Sequence, residues 1–221
     1  MKHTEMVFSL QKAVVKRNGT LLIDEFNWQV NSGESWWICG ANGSGKTTLL
    51  EVLIGQQRLA GGEMILTDDV LIENFSSSVA LIRRDFSLYN LFNSKASFYQ
   101  QRYFSLGVEE TPLVIDFLAI ETGISKEMVR SSAKEFGFDM LLDKRIVSLS
   151  TGEGRRIILL ILWLTDKEII CFEDPYSGLD PEGKQLVNHA LETLLKKKVT
   201  ILVTGVEIQP PNFIDHVLYI K

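Results

Sequence analysis

One short motif, Gly-Ala-Asn-Gly-Ser-Gly-Lys-Thr at residues 40–47, constrains the fold of this chain more than any other feature. It matches the pattern G-x-x-x-x-G-K-[ST], whose glycines let the backbone turn tightly and point N–H groups at phosphate oxygens. An apolar stretch at 35–39 precedes the motif, and helix-forming residues at 45–54 follow it. A helix that starts at such a loop adds its N-terminal partial positive charge. The sequence therefore predicts a phosphate-binding loop between a strand and a helix.

The residue types of this loop predict a nucleoside triphosphate and Mg²⁺ as its ligands. Lys46 is expected to neutralise the β and γ phosphate oxygens, and the Thr47 hydroxyl to ligate Mg²⁺. The residues of the loop and of the first helical turn predicted to bind the nucleotide are Gly40, Asn42, Gly43, Ser44, Gly45, Lys46, Thr47 and Thr48.

Composition narrows the class of protein further. The chain has 221 residues, 45% of them hydrophobic and 23% charged, which is typical of a globular protein with a substantial core. Its longest apolar run, at 157–164, is far shorter than the roughly 18 residues that span a bilayer. The N-terminus lacks the apolar segment of a signal peptide, so we expect a cytoplasmic protein in which Cys39 and Cys171 are reduced core thiols. The net charge of −5, with only short basic clusters, gives no strong nucleic-acid signal.

Hydrophobic patterning predicts strands and helices in an α/β order. Strands are expected at 7–15, 22–30, 35–39, 63–66, 79–82, 168–172, 199–203 and 213–220. Helices are expected at 45–54, 113–120, 126–136, 152–164 and 181–196, with Ser125 and Asp180 as N-caps. The pattern predicts an α/β fold with a mixed β-sheet core, β segments at the front and a helical insertion. We expect one domain over 1–221, with 1–85 and 150–221 forming the ATP-binding core and about 86–149 the insertion.

Further motifs follow the loop in a fixed order. Leu-Ser-Thr-Gly-Glu occupies 149–153, Glu-Asp-Pro follows an apolar strand at 173–175, and Gly-Leu-Asp occupies 178–180. With the loop, these motifs resemble the nucleotide-binding domains of ABC ATPases over nearly the whole chain. The resemblance implies the ABC-type P-loop NTPase fold, with its front β segments antiparallel, and two domains packed head to tail around ATP and Mg²⁺. The Ser150 hydroxyl and the Gly152 N–H would then face the γ-phosphate held by the opposite domain.

A closer resemblance rests on fewer residues. Gly-Glu-Ser-Trp at 33–36 and Leu-Ser-Thr-Gly-Glu look like the photorepair/molybdate-type ABC proteins, which usually carry two ATPase domains in one chain and no membrane domain. This resemblance implies a second ABC ATPase domain as partner, either a second copy or the other half of a tandem protein. A membrane-domain partner is the alternative, which would place the chain at the inner membrane as a peripheral subunit.

The order of two carboxylates departs from the family. The family strand ends in Asp-Glu, with Asp holding Mg²⁺ through water and Glu orienting the attacking water, whereas this chain has Glu173 and then Asp174. Pro175 fixes the register, so Glu173 stands at the metal position and Asp174 at the base position. Because Asp is one methylene shorter and misplacement by about 1 Å can cost on the order of 100-fold in rate, slow turnover is expected.

Other positions depart as well. The family has a histidine where Gly205 follows Thr204. Arg17 stands where the family stacks an aromatic residue on adenine, and a guanidinium plane can also stack on a base. Gln100 or Gln101 is the candidate for the Mg²⁺-sensing glutamine, with Gln100 as the predicted ligand, whereas an alignment on Arg83-Arg84 leaves no glutamine.

The leading interpretation is an ABC ATPase domain that dimerises on ATP and hydrolyses it slowly to ADP and phosphate. The swapped carboxylates and Gly205 also favour an alternative, a nucleotide-gated binding module with negligible hydrolysis. A further alternative is the motor subunit of a membrane transporter.

Overall fold

The computed structural model describes residues 6–66, 75, 78–84, 111–164, 167–206 and 209–221. Contacts divide the chain into two compact units. The first contains the described residues of Met1–Arg84 and Lys167–Lys221, and the second those of Asp85–Asp166. No helix in the described ranges combines the length and apolar character needed to cross a membrane.

The first unit begins with an antiparallel sheet. Its strands are β1 (Met6–Arg17), β2 (Thr20–Asn31) and β4 (Gly61–Leu66), in the order β2-β1-β4. Asn18 and Gly19 both have positive φ, +50° and +81°, the backbone of a tight hairpin turn between β1 and β2. The predicted antiparallel segments at the front are therefore confirmed.

A second sheet of the first unit carries the loop. Its described strands are β3 (Ser35–Cys39), β5 (Val79–Ile82), β6 (Ile169–Glu173), β7 (Thr200–Gly205) and β8 (His216–Tyr219). Their order is β5-β6-β7-β3-β8, and each neighbouring pair is parallel. Parallel strands end at the same edge, so the loop after β3 and the carboxylates after β6 meet at one edge of the sheet.

Two helices of the first unit flank these strands. In α1 (Lys46–Leu53), Leu49, Leu50 and Leu53 are buried in a hydrophobic core that also contains residues of both sheets. The helix α5 (Pro181–Lys196) starts as predicted, because Asp180 accepts a 2.8 Å hydrogen bond from the Gly183 N–H. Cys39 and Cys171 are buried free thiols, and burial raises the pKa of Cys171 to about 12.

The second unit is helical in its described part. It contains α2 (Val114–Thr122), α3 (Lys126–Glu135) and α4 (Thr151–Leu164), with short 3-10 turns at Asp139–Leu141 and Ile146–Ser148. The predicted N-cap of α3 is confirmed, since Ser125 Oγ accepts from the Met128 N–H. Within this unit α4 contacts α2 and α3, and Trp163 of α4 packs edge-on against Phe136.

Candidate functional site

The loop at 40–47 connects β3 to α1 and depends on its glycines. Gly43 and Gly45 have φ of +83° and +104°, a backbone region that residues with a Cβ rarely adopt. A Cβ on Gly40 would lie 2.4 Å from the carbonyl oxygen of Ile220, just past β8. The glycines therefore serve both the turn itself and the close approach of the segment just past β8, the strand that neighbours β3.

The lysine of the loop folds back over it. Lys46 Nζ donates to the carbonyl oxygens of Gly40 at 2.7 Å and Ala41 at 2.8 Å. Burial lowers the pKa of Lys46, and the nearby carboxylates of Asp174 and Glu173 partly oppose that shift. Ser44 Oγ is buried without a hydrogen-bond partner in the described part of the chain, as expected where an anion would supply the acceptor.

The two carboxylates lie at the end of β6. Glu173 Oε1 accepts a hydrogen bond from Thr47 Oγ1, so the hydroxyl of the loop and this carboxylate are in direct contact. Asp174 has φ of +47°, and its N–H donates to both the carbonyl and the hydroxyl oxygen of Thr204 at 3.1 Å. The contact with Thr47 is therefore made by Glu173, the residue at the metal position in the register that Pro175 predicts.

A cavity of about 240 Å³ opens at this edge of the sheet. It is lined by Arg17, Leu22, Asn42, Gly43, Gly45, Lys46, Thr47, Thr48, Arg84, Glu173, Asp174, Thr204, Gly205 and Val206. The structure thus brings together most of the residues predicted from the loop with Arg17 and both carboxylates. Gly40 contributes its carbonyl oxygen to Lys46, whereas Gln100 lies outside the described residues.

Arg17 is held at the cavity by α1. Its Nη1 lies 3.4 Å from Thr48 Oγ1 and 3.4 Å from Glu51 Oε2. The side chain of Glu51 is 11% exposed and also binds Arg83 Nη1 at 2.9 Å. This buried carboxylate therefore joins the last residue of β1 to the residue just after β5.

Sequence reasoning missed Arg84 as a site residue. Its Nη1 lies 3.6 Å from Asp174 Oδ2, and it lines the cavity. The signal is the register of the sheet, in which Ile82 pairs with Phe172, so that the residues two positions on come together past the strand ends. Arg84 can be recognised as a site residue only once β5 is known to pair with β6, and the sequence does not specify that pairing.

The structure explains why Gly205 lacks a side chain. A Cβ there would lie 2.0 Å from Cζ2 and 2.4 Å from Cη2 of Trp37, a residue of β3 that is 3% exposed. The indole of Trp37 therefore occupies the space through which a side chain at 205 would leave the backbone. A histidine at 205, as the family pattern has it, would therefore clash with Trp37.

The signature residues Ser150 and Gly152 lie in the second unit. The Ser150 N–H donates to Glu153 Oε2 at 2.9 Å, and the Glu153 N–H donates to Ser150 Oγ at 3.3 Å. This pair of hydrogen bonds is a capping box at the start of α4. Hydrogen bonds from Lys144, at 2.5 Å, and from Ser150 lower the pKa of Glu153 to about 2. Gly152 is exposed, and a Cβ there would meet no atom within 4 Å.

The parallel sheet, the glycine-rich loop before α1 and the carboxylates at the end of β6 define a protein of the P-loop nucleotide-binding class. The family model described as "ABC transporter" matches residues 10–177. The chain therefore belongs to the ABC transporter family, as its ATP-binding domain.

Individual relatives agree with this assignment. The chain is 29% identical over 171 residues to a cytochrome c biogenesis ATP-binding export protein of Reclinomonas americana, covering 74% of this chain and 68% of that protein. It is 28% identical over 186 residues to an uncharacterized ABC transporter ATP-binding protein of Bacillus subtilis, covering 79% and 66%. The matches thus span about two thirds of the length of both relatives.

Solved structures share the fold. The structure of cbiO1 from Clostridium perfringens, part of the ABC transporter complex cbiONQ, matches with a TM-score of 0.75 at 20% identity, over 98% of this chain and 85% of that chain. A putative ABC transporter ATP-binding protein from Pyrococcus furiosus matches with a TM-score of 0.74 at 19% identity, over 96% of both chains. The predicted fold class is confirmed.

Proposed function

We propose that this domain binds ATP together with Mg²⁺, closes head to tail on a second ABC ATPase domain and hydrolyses the nucleotide slowly. The observation that carries the proposal is the hydrogen bond between Thr47 and Glu173. This bond joins the phosphate loop to the strand end that bears both carboxylates, which is the arrangement that phosphoryl transfer needs.

The donor set at this bond fits Mg²⁺. Threonine hydroxyl and carboxylate oxygens are the hard ligands that Mg²⁺ takes in nucleotide sites, and Thr47 and Glu173 would hold it. When bound, the ion would neutralise charge on the β and γ phosphate oxygens. Gln100 remains a predicted ligand that lies outside the described residues.

Each residue of the site then has a separate role. The loop N–H groups and Lys46 bind the phosphates, Arg17 offers a guanidinium plane to the base, and Asp174 orients the attacking water. Asp174 has a shorter reach than glutamate, and Trp37 fills the space beside Gly205, so slow turnover is proposed. The same two features support the second candidate function, a nucleotide-gated binding module with negligible hydrolysis, and release of phosphate from saturating ATP separates the two.

Partners are also part of the proposal. Ser150 and Gly152 would bind the γ-phosphate of the ATP held by a second ABC ATPase domain, in a homodimer or a tandem protein. Both relatives described above carry "ATP-binding" in their names with export or transporter roles, which supports a membrane-domain partner and a peripheral place at the inner membrane. Neither of them is named as a photorepair or molybdate protein, so the tandem type remains a prediction. The extent of one domain over 1–221 is a separate prediction.

Calorimetric titration with ATP and Mg²⁺ tests the binding step. Lys46→Ala should weaken binding by about 10- to 100-fold, because a charge-assisted hydrogen bond contributes roughly 1.5–3 kcal/mol. Lys16→Ala is the matched control, since Lys16 is exposed and does not line the cavity. Equal ATP affinity of Lys46→Ala and wild type would overturn the assignment of the site.

A further inference from the structure

The cavity contains a cation that the loop motif does not account for. Arg84 follows β5, lines the cavity with Lys46 and Thr47, and places Nη1 3.6 Å from Asp174 Oδ2. In the alternative alignment on Arg83-Arg84, a guanidinium takes the place of the family's glutamine, and in the structure Arg84 lies beside the carboxylate at the base position. The question is what this guanidinium binds when a nucleotide occupies the cavity.

Its neighbours indicate which phosphate it faces. Lys46 would bind the β and γ phosphate oxygens, and Thr47 and Glu173 would hold the Mg²⁺ that neutralises charge there. Asp174, one residue further on, stands where the attacking water approaches the γ-phosphate. Arg84 contacts Asp174, so its guanidinium would lie near the γ-phosphate of a bound triphosphate.

The ion pair of Arg84 is also readily exchanged. The Arg84 side chain is 60% exposed and that of Asp174 is 24% exposed, and exposed ion pairs contribute little to stability. The distance of 3.6 Å is that of an ion pair without a close hydrogen bond. By contrast, Arg83 is bound at 2.9 Å to the buried carboxylate of Glu51 and at 2.7 Å to Gln56 Oε1. Arg84 therefore gives up little when a better anion enters.

A γ-phosphate is the better anion. It carries more charge than one carboxylate and presents several oxygens to the planar fork of a guanidinium, which binds phosphate through two parallel hydrogen bonds. A diphosphate ends one phosphate earlier and leaves Arg84 paired with Asp174.

We propose that Arg84 is the residue by which this site distinguishes a nucleoside triphosphate from a diphosphate, exchanging the Asp174 carboxylate for the γ-phosphate. This inference rests on the proposed ATP-binding function of the same cavity. It assigns Arg84 as a specificity-determining residue that contacts the substrate.

Calorimetry with a non-hydrolysable ATP analogue and with ADP, both with Mg²⁺, tests the exchange. For Arg84→Ala we expect at least a 10-fold loss of affinity for the triphosphate and less than a twofold change for ADP. Arg84→Lys should retain part of the preference, since an ammonium keeps the charge without the fork. Arg83→Ala is the matched control and should leave the ratio of the two affinities unchanged.

The outcomes distinguish the role of Arg84 from the proposed nucleotide site. If Arg84→Ala weakens both nucleotides alike or neither, while Lys46→Ala weakens both, the role of Arg84 is overturned and the nucleotide site stands. If wild type binds neither nucleotide, the proposed function itself fails. The unfolding temperature of Arg84→Ala should match wild type, and if it does not, the ratio measured with Arg84→Lys decides.

Discussion

At the scale of single residues, the site departs from its family where Trp37 meets Gly205. A Cβ at 205 would lie 2.0 Å from the indole, closer than non-bonded carbon atoms approach. Trp37 is almost fully buried, so it cannot turn away into solvent. Packing between β3 and β7 therefore disfavours a histidine at 205, whatever its chemical role would be.

This packing predicts the outcome of restoring the histidine. Gly205→His should destabilise the protein by about 1–3 kcal/mol or more through overpacking, without raising turnover. In a Trp37→Phe background the outer indole ring is gone, so the same substitution should cost less. Thermal unfolding of both single variants and the double variant gives the coupling between the positions. Strictly additive shifts would contradict the proposed clash.

Asp174 permits a test of reach. Its φ of +47° suits Asp and Asn, whereas a longer side chain in this conformation costs roughly 1–2 kcal/mol. Asp174→Glu should therefore lower the unfolding temperature yet raise turnover, because the carboxylate regains the length of the family's base. Asp174→Asn should keep the fold and the ATP affinity while lowering kcat, since a base acts in the transition state.

The metal position provides the comparison for that test. Glu173→Gln should raise the Mg²⁺ requirement more than it changes the limiting rate, because Glu173 would hold the ion in the ground state as well. Rates measured over a range of Mg²⁺ concentrations distinguish the two carboxylates. Reversed effects would show that the register of Glu173 and Asp174 is wrong.

At the scale of elements, the start of α4 combines a structural and a proposed functional role. Ser150 caps the helix, and Ser125 caps α3 by the same kind of bond. Loss of either cap should cost about 1 kcal/mol. If Ser150 also binds the γ-phosphate of a second domain, only Ser150→Ala should weaken ATP-dependent dimerisation. Sedimentation and thermal unfolding of both variants test this, and equal dimerisation would leave Ser150 with the cap alone.

Elements also show what could be predicted from sequence. The loop, the strands and the helix starts were predictable because their signals are local: Gly43 and Gly45 for the turn, Ser125 and Asp180 for the caps. Arg84 and the Trp37–Gly205 contact were not, because each depends on which strands become neighbours. Trp37 and Gly205 belong to β3 and β7, strands that are far apart in the chain and adjacent in the sheet.

At the scale of the whole molecule, the proposed activity requires a second ATPase domain. We expect a head-to-tail dimer that forms with ATP and not with ADP, most clearly in Asp174→Asn, where slow hydrolysis preserves the bound nucleotide. Sedimentation at high protein concentration with each nucleotide measures this. Monomers of both Asp174→Asn and wild type in saturating ATP would count against the homodimer, and the other half of a tandem protein would be tested next.

The Trp37–Gly205 contact also makes the residue tolerated at one of these positions depend on the residue at the other. Two side chains would compete for one volume between neighbouring strands, so a histidine at 205 needs a smaller residue at 37. A smaller residue at 37 beside Gly205 leaves a cavity, and empty volume in a core costs about 24 cal/mol for each Å³. Each single substitution therefore lowers stability on its own, so we expect the residues at 37 and 205 to change together or not at all.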